Sequence, residues 1–205
     1  MKQLFSTLLV IICSSCTIKN DEVESIEIMA YYYNLNIDQS KLMLDCLFYS
    51  RTNNDGFTEV LSQKLPSSSR KDFGYEYSIN KQLINEIEIQ TKTSNEKSFD
   101  AKLNKTITKL YCGPTIRYRI KYKSGKSFLF VTNENIMEKD KKFQVFEAFY
   151  KTVTQNTKPK MFNSVRREYI KSKQAEFEKF TIRRDSLHHS FPPLPKKSEI
   201  KFIKL

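Results

Sequence analysis

Basic and aromatic side chains interleave between residues 115 and 132, and there the 205-residue chain comes nearest to a binding chemistry. Two alternating runs flank Ser124-Gly125, a pair suited to a two-residue hairpin turn. Pairing Lys123 with Lys126 puts Arg117, Arg119, Lys121, Phe128 and Phe130 on one face of the hairpin, and Tyr118, Ile120, Tyr122, Leu129 and Val131 on the other. The first set is a candidate anion site: guanidinium groups would hold a carboxylate or phosphate, with the two phenylalanines as stacking platforms. A plainer account competes, in which long cationic stems lie along aromatic rings and keep their charged heads in water. A shift of one residue in the turn would move both phenylalanines to the opposite face and dissolve the composite surface.

Other reactive residue types lack the company that chemistry needs. Cys46 and Cys112 are a candidate disulfide pair, and closing so long a loop is worth about 4 kcal/mol in the chain-entropy model. The alternative is two buried thiols acting as small hydrophobes. Cys13 and Cys16 have a C-x-x-C spacing, half of a redox or zinc motif. His188 and His189 are the only histidines; as neighbours on a helix they point about 100° apart and do not share a metal easily. Without a third histidine or an acidic cluster beside them, neither zinc hydrolysis nor a histidine triad has its parts. Ser67, Ser68 and Ser69 do not sit in a nucleophile elbow. Four glycines and no tryptophan also argue against Gly-rich nucleotide-binding loops and most large all-β barrels. The expectation is a protein with no catalytic residues, no metal and no cofactor.

The elements around these residues predict an α+β fold, an antiparallel sheet packed by one or two amphipathic helices. Residues 23–33, 41–50 and 57–65 read as three consecutive strands, with Asn53-Asn54-Asp55-Gly56 as the turn between the last two. Residues 80–91 have helical spacing behind a capping Asn80, although Ile84, Ile87 and Ile89 could equally serve a strand, and 93–104 read as a polar loop. Residues 139–155 place Phe143, Phe146, Phe149, Tyr150 and Val153 at spacings of three and four, a helix that should dock on the sheet. From 164 to 187, Val165, Tyr169, Phe177, Phe180 and Leu187 make a broken stripe on a basic helix that should be buried less deeply. Phe191 to Pro195 reads as an extended linker, and 199–205 as a short edge strand.

Residues 1–15 run from Lys2 through an apolar stretch that ends in Ser14 and Ser15, with Cys16 next, the pattern of an exported chain. No stretch approaches the roughly 20 apolar residues that span a bilayer. A cysteine behind small residues after such a run resembles the lipobox of bacterial lipoproteins, although Cys13 stands where that family usually has Leu. The resemblance implies cleavage before Cys16 and diacylglycerol on its thiol, which would consume the C-x-x-C pair. Thr17, rather than Asp, follows Cys16, which favours the outer membrane of a Gram-negative envelope, on its periplasmic face or at the cell surface. The charged stretch Lys19 to Glu22 is similar to surface-export signals of one group of such bacteria.

This compartment governs what the charge means. The chain carries +12, and residues 158–205 hold 13 basic against five acidic side chains. Nucleic acid is not an expected partner of an exported protein; the membrane, an acidic envelope polymer or an acidic protein is. The domain map is a signal peptide over 1–15, a lipid-anchored tether over 16–22, an α+β domain over 23–157, and a basic helical, Pro-containing segment over 158–205 packed on it. The function expected is binding or scaffolding in the envelope, with an envelope hydrolase as the alternative.

Overall fold

A computed structural model describes residues 21–36, 41–63, 72–99, 113–155, 160–161 and 164–188. The fold is α+β. Strands β1 (Val23–Asn36), β2 (Lys41–Asn53), β3 (Phe57–Gln63) and β4 (Asp72–Ser78) form a meander. Helix α1 (Lys81–Lys92) and the single turn α2 (Glu96–Phe99) precede the hairpin β5 (Thr115–Tyr122) and β6 (Ser127–Thr132). Then come α3 (Glu134–Lys139), a 3-10 turn (Lys141–Phe143), α4 (Gln144–Thr154), the two-residue β7 (Lys160–Met161) and the long α5 (Ser164–His188). The strands make one sheet in the order β6-β5-β1-β2-β3-β4-β7, and every pairing is antiparallel.

Both faces of this sheet are covered. On the front lie Ile26, Ile28, Ile116, Tyr118, Ile120, Phe128 and Phe130, packed by Ile84 and Ile87 of α1 and by Phe146, Phe149 and Val153 of α4. Phe143, Phe146, Phe149 and Val153 are wholly buried, as their spacing predicts. Asn80 caps α1, its side chain accepting from Gln82 N at 2.9 Å. On the back, Met29, Tyr31, Tyr49 and Leu61 pack against Ile170 and Phe177 of α5. The two-sided burial explains why β1 does not alternate cleanly between apolar and polar residues.

Two expectations are corrected by the packing, and one strand is added. The segment 93–104 is not simply a polar loop: α2 delivers Phe99, 1% exposed, into a cluster with Phe128, Phe130, Phe143 and Phe146 at ring separations of 5.3 to 5.7 Å. Strand β4 was not foreseen. The inward face of α5 is Ile170, Phe177, Thr181 and Asp185, whereas Tyr169 points outward at 41% exposure. That helix meets a sheet face bearing charges, so its buried stripe is partly polar and an apolar count misplaces it.

Several expectations fall outside the described residues: Cys16 and the segment before it, Cys112, Ser67 to Ser69, His189, the Pro-rich stretch and residues 199–205. Cys46 is buried, its Sγ donating to Phe48 O at 3.4 Å.

Candidate functional site

The hairpin that the sequence singles out pairs in a different register. Tyr122 N donates to Lys126 O at 2.9 Å and Gly125 N to Tyr122 O at 2.9 Å, so the loop has three residues, Lys123, Ser124 and Gly125. Gly125 sits at φ +85°, the left-handed position that ends such a loop. Lys121 therefore faces Ser127, Tyr118 faces Phe130 and Ile120 faces Phe128. Partners opposite one another share a face, so Phe128 and Phe130 lie on the front with Tyr118, while Arg117, Arg119 and Lys121 lie on the back. The composite basic and aromatic surface is not formed.

What the arginines meet instead is a buried seam of charge under α5. Arg119 Nε donates to Glu27 Oε2 at 2.6 Å, Tyr49 OH donates to Glu27 Oε1 at 2.8 Å, and Lys121 Nζ lies 3.4 Å from Glu27 Oε2. The Arg119 guanidinium also covers the Phe177 ring at 4.2 Å and the Phe180 ring at 5.1 Å, a cation-π contact supplied by α5. Arg117 is ion-paired with Asp185 of α5, and Tyr31 and Tyr33 donate to Asp185 Oδ2 at 3.1 and 2.8 Å. A third junction joins Glu59 of β3 to Arg166 of α5, with Arg51 Nη1 at 3.9 Å.

The strand register makes this a row. Read across the sheet, Arg119 pairs with Glu27, Glu27 with Arg51, Arg51 with Glu59, Glu59 with Glu76 and Glu76 with Lys160. From β5 to β3, four strands, charges of opposite sign stand next to one another, the favourable cross-strand arrangement, and the alternation ends where Glu59 meets Glu76. Burial by itself pushes the Glu27 carboxyl up, but the Arg119 hydrogen bond and charge, with Lys121 and Tyr49, outweigh it and hold Glu27 below the usual carboxylate range. At Glu59 burial wins, and its carboxyl titrates above the usual range despite Arg166 and Arg51. Burial raises the Tyr31 and Tyr33 phenols, and Asp185 raises them further. Burial would lower the Arg117 pKa, but Tyr31 and Asp185 reverse that and raise it.

As a chemical site the seam is closed. Arg117 and Arg119 are 2% and 6% exposed, and their charges are engaged by internal carboxylates. Glu27, Glu59 and Asp185 were missed from the sequence. The one available signal was an acid at an interior strand position between Ile26 and Ile28, which a half-solvated strand also produces. An open concavity among the described residues lies elsewhere, a groove between α3 and α4 lined by Glu134, Met137, Glu138, Glu147, Tyr150 and Lys151. Lys151 Nζ pairs with Glu147 Oε1 at 2.5 Å there. Among the described residues, no three His, Cys, Asp or Glu side chains are grouped to hold a metal, and no helix is long and apolar enough to cross a membrane. No protein-family model, curated protein or solved structure matches the chain.

Proposed function

We propose that the chain is an envelope lipoprotein, held in the outer membrane through diacylglycerol on Cys16, whose folded body binds or scaffolds rather than catalyses. The observation that carries this is the order of residues at the start: one lysine, an apolar run, two serines and a cysteine. The body is consistent with it. Its back-face charges pair with one another within the sheet and with α5, and its front is filled by aromatic packing. The partner class is the membrane itself, together with an acidic envelope polymer or protein that would meet the basic C-terminal segment. Replacing Cys16 with Ala should move the protein from the membrane fraction to the soluble fraction and abolish incorporation of labelled palmitate. Unchanged sedimentation with membranes would overturn the proposal.

The alternative, an envelope hydrolase, would draw on the groove between α3 and α4, where three glutamates stand on one concavity. It predicts a hydrolytic activity on envelope polymers that Glu138→Gln or Glu147→Gln removes without loss of fold.

A further inference from the structure

The acidic half of the expected tether belongs to the folded body. Asp21 accepts from Ser124 N at 3.0 Å and from Ser124 Oγ at 2.5 Å. Glu22 Oε2 accepts from Lys123 Nζ at 2.5 Å, while Glu22 O accepts from Lys123 N at 3.0 Å. Directly after them, Val23 N donates to Glu88 Oε2 of α1 at 3.0 Å. The chain is thus stapled to the β5-β6 turn from Asp21 onward. Four residues lie between Cys16 and Asp21, and the five steps along the chain reach about 17 Å at most when fully extended.

Resting on the lipid-anchor proposal, we infer that the end of the sheet carrying the β5-β6 turn faces the bilayer surface, with Lys126 and Lys81 at the membrane-proximal rim and α3 at the far end. The topology places these features. Strand β1 begins at this rim, β2 ends opposite Ser25 where the β2-β3 turn starts, and α1 starts here behind Asn80. Strand β6 runs away from the rim, and Lys139 of α3 follows its distal end. Strand β1 alone, at about 3.3 Å per residue, is longer than twice the tether. The rim has no basic excess: Lys81, Lys92, Lys123 and Lys126 stand against Asp21, Glu22, Asp55, Glu86 and Glu88. The short staple, and not attraction to anionic headgroups, sets the orientation, so neutral and anionic bilayers should give the same result.

The test is lysine footprinting of the full-length lipidated protein added to preformed phosphatidylcholine vesicles, using a membrane-impermeant amine-acylating reagent and mass spectrometry at each lysine. The comparison protein carries ten Gly and Ser residues inserted between Thr17 and Ile18, which lengthens the tether and leaves the body unchanged. Lys126 and Lys81 should be acylated several-fold more slowly in the native protein than in the long-tether protein, and Lys139 equally in both. Vesicle binding with equal labelling of Lys126 in the two proteins, or with Lys139 protected as strongly as Lys126, would overturn the orientation alone. Failure of both proteins to bind vesicles would overturn the orientation and the lipid anchor together.

Discussion

Glu27 is 1% exposed in the middle of a sheet, and its charge is matched by an arginine, a lysine and a tyrosine hydroxyl. Replacing it with Gln leaves Arg119 buried without its counter-charge, which should cost about 3–5 kcal/mol in urea denaturation at pH 7. Replacing both partners, Glu27→Leu with Arg119→Met, should cost far less, because no uncompensated charge remains. The pH dependence has a definite sign. The folded Glu27 carboxyl titrates below its ordinary value of 4.5, so its stabilisation is complete above that value and is lost as pH falls through the lower folded value. Glu59 behaves oppositely: its folded pKa lies above 4.5, so its contribution is present below 4.5 and is lost as pH rises through the folded value. Glu59→Gln should therefore destabilise much less than Glu27→Gln at pH 7, and equal losses would contradict this. Neither role was legible in the sequence, because burial of a carboxylate depends on which helix covers the strand, and α5 arrives from 105 residues or more downstream.

At the scale of elements, local chemistry decides most placements and long-range packing decides the rest. The apolar spacing of α4 identifies its buried residues one by one, since a single face meets an apolar sheet. The β5-β6 hairpin was recognisable from its alternation and its Ser-Gly pair, yet one residue in loop length reversed which side chains share a face. That difference, a three-residue loop ending in a left-handed Gly in place of a two-residue loop, is small locally and inverts the candidate site. Phe99 stayed hidden because a lone apolar residue in a polar segment has no periodicity to announce it. Phe99→Ala should cost about 3–5 kcal/mol, since four rings would line the cavity. Two glycine turns offer a matched comparison by thermal melting. Gly56→Ala combines φ +91° with a Cβ 2.4 Å from Ile79 O, whereas Gly125→Ala at φ +85° meets nothing within 4 Å. The second should cost about 1–2 kcal/mol for the left-handed conformation alone, and the first distinctly more.

For the whole molecule, one antiparallel sheet separates two unlike interiors, aromatic in front and charge-laced behind. The Arg117–Asp185 and Arg166–Glu59 pairs, with the Phe177 ring against Arg119, make α5 an integral layer of the body, so the basic C-terminal helix turns a paired stripe inward and leaves Lys179 and Arg183 outward. The α+β class and the main antiparallel strands were legible, because alternation and helical spacing report how each segment meets a core. The proposed function rests on the N-terminal pattern alone, which folding does not shape. Intact mass spectrometry of the protein extracted from membranes tests that pattern most directly. The account predicts a chain beginning at Cys16 whose mass exceeds that of the polypeptide by a diacylglyceryl group and an amide-linked fatty acid. An unmodified chain, or one beginning at any other residue, would contradict it.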